Sequence, residues 1–146
     1  MQIRNMRKED YSAVYALWLS CKGMGLNNVD DTEESIARFL ERNPETNFVA
    51  VEDDTIIGVL MAGYDGRRGY IYHTAVHEDH RRTGIGEALV EAVLQAFRSV
   101  GIHKTALVVF ARNETGNAFW EKMGFTRRTD IVYRNLALTE ITRMDT

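Results

Sequence analysis

Apolar residues recur along this chain with two different periods, and the switches between them mark out its elements. Residues 2–6 suit a short strand. Over residues 11–21, Val14, Leu17, Trp18 and Cys21 fall on one helical face. Gly23, Gly25 and Asn27-Asn28 break that helix. Asp31-Thr32-Glu33-Glu34 reads as the capped start of a second helix, with Glu34 placed to reach back to the cap. Ile36, Phe39 and Leu40 form its apolar stripe, and Asn43-Pro44 stops it. Strands are predicted at residues 48–52 and 56–64, joined by the tight turn Asp53-Asp54, and at residues 70–76 after a second turn. The strongest helical signal covers residues 83–100, where Ile85, Ala88, Leu89, Ala92, Val93, Ala96 and Val100 recur at helical spacing before Gly101 ends it. Residues 105–110 are apolar at nearly every position, which predicts a strand buried on both faces. A short helix over residues 116–123 ends at Gly124, and residues 126–138 hold the last strand or strands. The order β-α-α-β-β-β-α-β-α-β predicts a single α/β domain over residues 1–146. It has a mixed sheet, helices on both faces and a right-handed crossover through the long helix.

Composition narrows the class. Of 146 residues, 45% are hydrophobic and 27% charged, which suits one folded domain and excludes a disordered chain. The apolar runs are too short to span a membrane, and the first ten residues lack the apolar stretch of a secretory signal. A cytoplasmic protein is expected. Cys21 is the only cysteine, so no internal disulfide or cysteine metal cluster can form. Its place on an apolar helical face marks it as a packing residue. His77-x-x-His80 lacks a third ligand at suitable spacing, and no metal is expected. A net charge of −3 gives no reason to expect nucleic acid.

The chemistry concentrates where the third predicted strand runs into the long helix. Val76-His77-Glu78-Asp79-His80 leads into Arg81-Arg82-Thr83-Gly84-Ile85-Gly86. A helix opening on glycines presents unpaired N–H groups and the positive end of its dipole, a seat for phosphate or pyrophosphate. Arg81 and Arg82 can add charge-assisted bonds. The dinucleotide fingerprint does not fit, because its third glycine position falls on Leu89. Nor does the P-loop, since no Gly-Lys-Ser/Thr end is present.

With Ala75-Val76-His77-Glu78 before this loop and Ala88-Leu89 after it, the chain resembles the GNAT superfamily of N-acetyltransferases. More specifically, it is similar to the branch of ribosomal-protein alanine N-acetyltransferases. A second segment carries the same resemblance: Asn113-Glu114, then Ala118-Phe119-Trp120-Glu121-Lys122-Met123-Gly124-Phe125. The resemblance implies a GNAT-like fold with a mixed, mostly antiparallel sheet, and acetyl-CoA as co-substrate. It implies that backbone groups of Ala75, Val76 and His77 pair with the pantetheine arm as an added strand. By the same resemblance the N–H groups of Arg82, Thr83, Gly84, Ile85 and Gly86, with the Arg81 side chain, hold the pyrophosphate. Asn113 bonds the pantetheine or fixes its loop, and Phe119 and Trp120 wall the channel, with a core role equally open to Phe119.

The catalytic groups are less determined. The family's usual tyrosine, which protonates the departing thiolate, is replaced by Trp120. An indole N–H can donate a hydrogen bond but does not release its proton near neutral pH. For the base, the strand before the loop offers Tyr70, Tyr72 and His73. Strand parity places Tyr72 and His73 on opposite faces, so at most one faces the acceptor. His73 has the better intrinsic pKa. An amine bound unprotonated can also attack the thioester directly within a ternary complex. Asp30, Asp31, Glu33 and Glu34 can attract a cationic amine, such as a polyamine, an aminoglycoside or a peptide N-terminus, or can simply complement a helix dipole. The expected activity is acetyl transfer to a primary amine of a small molecule or peptide. A non-catalytic acyl-CoA-binding module is the alternative, and a homodimer paired through the C-terminal strands stays open.

Overall fold

Strands pair in the order in which the sequence lays them down. In the computed structural model, which describes residues 1–144, β1 (Gln2–Asn5), β2 (Phe48–Glu52), β3 (Thr55–Tyr64), β4 (Gly69–Val76) and β5 (Thr105–Leu107) form one sheet. The first three pairings are antiparallel and β4–β5 is parallel. The helices are α1 (Tyr11–Ser20), α2 (Glu33–Arg42), α3 (Ile85–Ser99) and α4 (Glu114–Lys122). The β2–β3 turn puts Asp53 and Asp54 at φ of 49° and 61°. Two left-handed residues are what a two-residue hairpin needs to match strand twist.

The sheet has a core on each face. On one, Val14, Leu17, Trp18 and Cys21 from the α1 region and Ile36 and Leu40 from α2 bury Val49 and Val59. On the other, Leu89, Val90, Val93 and Phe97 of α3 bury Ala50 and Leu60. Neighbouring residues Val49 and Ala50, and likewise Val59 and Leu60, thus face opposite ways, as period-two alternation requires. That alternation fails once in β4. Ile71 belongs to the α3 core and Ala75 to the α1–α2 core, although they stand four positions apart. The register explains it: Ile71 pairs with Ala62 and Thr74 with Leu60, so Tyr72 and His73 together oppose Met61. This is a β-bulge, and it turns the rest of β4 over.

Buried polar groups hold β3 at the bulge. Asn47 Oδ1 accepts from the Ala62 N–H at 3.0 Å, and the Thr46 hydroxyl donates to the Ala62 carbonyl at 2.6 Å. Both side chains are fully buried. They satisfy backbone groups that β2, ending its pairing at Leu60, no longer reaches.

Three expectations are corrected. The cap of α2 is Thr32, whose hydroxyl accepts from the Ser35 N–H, rather than Asp31 with Glu34. Freed from capping, Asp31 turns inward and is 3% exposed. Second, β5 covers only residues 105–107, and Ala106 and Val108 are exposed. Among the described residues β5 has no strand on its outer side, so its apolar run is not sandwiched. Third, residues 126–138 form no strand. They run exposed along the molecule until Met144 N–H donates to Leu26 O at 2.9 Å and Asn28 N–H to Thr142 O at 3.0 Å.

Candidate active site

β4 and β5 part company halfway along. Their pairing ends at Ile71 and Leu107, leaving the edge of β4 beyond Ile71 without a strand among the described residues. Which groups face that opening follows from register. The His77 N–H donates to Ile57 O at 2.8 Å, so His77 is bonded to β3. Antiparallel pairs alternate, so Ala75 opposite Val59 also bonds β3, while Thr74 and Val76 point their N–H and C=O groups away from it. Of the three residues expected to pair with pantetheine, only Val76 presents its backbone to the opening. Thr74, which the sequence reading did not name, presents its backbone there as well.

The opening leads to the glycine loop. Gly84 caps α3 at φ 85°, and Arg82 is also left-handed at φ 62°. No atom lies within 4 Å of where a Gly84 Cβ would stand, so the loop faces open space. Thr83 Oγ1 donates to the His80 carbonyl, which tightens the turn. Gly86 has a different reason: a Cβ there would lie 3.1 Å from Phe119 Cε1. The glycine lets α4 approach α3, and Phe119 packs into the α3 core. Ile85 is likewise a core residue, 5% exposed, so only its backbone is available to a ligand. Arg81 folds back onto β4, its Nε donating to Val76 O at 3.2 Å and its Nη2 lying 3.6 Å from Cys21 Sγ.

A cleft of 940 Å³ opens on the α1–α2 side of the sheet. Tyr70, Tyr72 and His73 line it together, because the bulge puts Tyr72 and His73 on one face rather than on opposite faces. Tyr72 meets Phe39 edge-on at 5.6 Å and Tyr70 at 4.7 Å. His73 meets Trp18 at 5.0 Å, and its Nε2 lies 2.8 Å from Asp31 Oδ1. Burial, then Asp30 and Tyr133, push the Tyr72 phenol up from its ordinary value. Burial, then Tyr133 and Tyr72, do the same to Tyr70. Both shifts favour the neutral, protonated phenol.

Trp120 and Asn113 close the far wall. Trp120 is wedged between Phe119 and Phe125 at 5.0 and 5.2 Å. Asn113 caps α4, its Oδ1 accepting from the Gly116 N–H at 2.9 Å. Of the four acids expected near the acceptor, Asp30 and Asp31 line the cleft and Glu33 and Glu34 do not. Arg38 and Arg42, which the sequence reading passed over, line it from α2.

Known proteins resemble this chain over most of its length. Residues 8–125 match the family model described as the acetyltransferase (GNAT) family. An acetyltransferase of Pectobacterium atrosepticum is 35% identical over 125 residues, covering 86% of this chain and 87% of that protein. The ribosomal-protein-S18-alanine N-acetyltransferase from Escherichia coli superposes with a TM-score of 0.74 at 22% identity, over 88% of this chain and 79% of that one. AAC(6')-Iy bound to the bisubstrate analogue CoA-S-monomethyl-acetylneamine superposes with a TM-score of 0.70 at 20% identity, over 93% and 98%.

Proposed function

Because this chain belongs to the GNAT acetyltransferase family and carries out acetyl-CoA-dependent N-acetylation, we propose that the reaction proceeds by direct attack of an amine on the thioester where the cleft meets the β4 opening. The observation that carries this is the unpaired edge of β4, with Val76 facing out, between the glycine loop and the cleft lined by His73. Pantetheine lies along Thr74 and Val76 as an added strand, and Arg81 swings from Val76 O to the pyrophosphate seated on the N–H groups of residues 82–86. His73 is the base and Tyr72 a hydrogen-bond donor in this reading. Trp120 walls the channel and donates to the thiolate. Asn113 holds the loop around it, and Phe119 spaces α4 from the glycine loop. The chain works as one domain over residues 1–146, supported by one sheet shared between both cores. Use of acetyl-CoA and a lone thiol fit a cytoplasmic setting.

The cleft favours an acceptor amine that also bears an anionic group. Arg38 and Arg42 make no ion pair among the described residues, and Arg38 stands about 7.5 Å of helical rise beyond the start of α2 at Glu33. Asp30 draws the amine toward His73, while the two guanidinium groups suit a carboxylate and repel a polycation. Coupled thiol release should therefore be measured with acetyl-CoA and alanyl-glutamate, alanyl-glutamine, alanyl-lysine, spermidine and kanamycin. The acidic dipeptide is expected to lead. No thiol release with any amine, despite acetyl-CoA binding, would favour a non-catalytic module.

A homodimer completes this reading. Val132, Leu136 and Leu138 are 76%, 83% and 89% exposed, and β5 has no strand on its outer side among the described residues. Such exposed apolar residues and such an edge invite strand pairing, and a second copy supplies both. Sedimentation velocity is expected to give a dimer that Leu136→Asp dissociates.

A further inference from the structure

Asp31 and His73 form a part-buried pair that neither residue's place in the sequence announces. Asp31 Oδ1 lies 2.8 Å from His73 Nε2, and the Asp31 side chain is 3% exposed. The carboxylate is itself fixed. Its Oδ2 accepts from the Asn27 N–H at 2.9 Å, and the Asp31 carbonyl accepts from the Tyr11 hydroxyl at 2.7 Å. Trp18, fully buried, packs at 75° to the imidazole and limits its rotation.

An ionised carboxylate can only accept, so the 2.8 Å contact requires a proton on His73 Nε2. A neutral imidazole carries one N–H, so its lone pair is then on Nδ1. Nδ1 has no hydrogen-bond partner among the described residues. We propose that Asp31 is a positioning residue that holds His73 as the Nε2–H tautomer, leaving Nδ1 as the proton acceptor for the attacking amine. The inference rests on the reading of His73 as base.

The step balances without further reactants. The amine nitrogen forms a bond to the thioester carbon. A proton leaves that nitrogen for His73 Nδ1, and the C–S bond breaks with its electron pair on sulfur. The imidazolium returns its proton to water, and the thiolate takes one from water. Asp31 stays ionised throughout and stabilises the imidazolium. Its position explains why α2 is capped by Thr32: an Asp31 carboxylate committed to the helix N-terminus could not reach His73.

Two measurements test this. In the wild-type protein, ¹⁵N shifts of the His73 ring are expected to report the Nε2–H tautomer at a pH where the ring is neutral. In turnover with acetyl-CoA and the best acceptor of the amine panel, Asp31→Asn is expected to lower kcat by about a hundredfold or more. KM for acetyl-CoA should stay within about threefold, and Asp31→Glu should recover part of the rate. A wild-type Nδ1–H tautomer overturns the proposal, and that arm needs no variant to fold. So does a folded Asp31→Asn protein that keeps its kcat while His73→Gln loses it, and this result spares His73 as base. If His73→Gln also keeps its kcat, the base assignment and the positioning role fall together.

Discussion

Tyr72 and His73 are adjacent in the chain yet project to the same face of the sheet, because both stand opposite Met61. Without that bulge one of them would point into the α3 core. With it, a phenol and an imidazole share one cleft beside the open edge of β4. Their roles separate by proton affinity. The Tyr72 phenol is pushed up by burial, Asp30 and Tyr133, which keeps it protonated. Tyr72→Phe should therefore keep most of kcat, while His73→Gln should lower it about a hundredfold or more. Turnover of both variants with acetyl-CoA and the same amine checks the division.

Gly84 and Gly86 serve different ends. At φ 85°, with open space before it, Gly84 is replaced by Val only with backbone strain and a side chain in the anion seat. Gly84→Val should weaken acetyl-CoA binding about tenfold or more by calorimetry. Gly86→Ala instead crowds Phe119, and should cost about 1–3 kcal/mol of stability. Phe119→Leu in the same chain should restore part of it.

Asn47 should matter more to stability than its polarity suggests. It is fully buried, accepts from the Ala62 N–H and donates to Asn43 O at 2.8 Å. Asn47→Ala strands both groups, at about 1–3 kcal/mol for each buried group left unpaired. Denaturant unfolding should show this as a lower midpoint with an unchanged slope.

Acid should weaken the fold partly through Asp10. Burial alone would raise this carboxyl, but the two-pronged Arg4 contact at 2.8 and 2.9 Å and the Arg7 N–H outweigh it and hold it below its usual value. With the folded pKa lowered, the stabilisation is complete above the unfolded value of about 3.9. It is lost as pH falls through the folded value. Arg4→Met should lower stability at pH 7 and flatten its decline in acid, as read by unfolding at a series of pH values.

How much of this was legible in the sequence depends on whether local periodicity or a distant partner decided the outcome. Trp18, Leu40, Leu89 and Val93 lie where their helical spacing puts them. The glycine loop was found because a tight turn opening a helix leaves a local signature, whereas Asn113 was named by the family resemblance and its capping of α4 was not foreseen. The bulge left none, since it is set by pairing with Met61 and by Asn47 and Thr46 in the loop before β2. Asp31 read as a helix cap because its partner, His73, is 42 residues away. Residues 105–110 and 126–138 read as strands on composition alone; only residues 105–107 pair with β4, and residues 126–138 form no strand along the edges that β4 and β5 leave open.

The account turns on acetyl-CoA lying along the outward groups of β4, and amide exchange measured residue by residue with and without CoA tests that most directly. Saturating CoA should slow exchange at the Thr74 and Val76 amides and across residues 82–86. Ala75 and His77, already bonded to β3, should change little. Unchanged exchange at Thr74 and Val76 under saturating CoA would contradict the account.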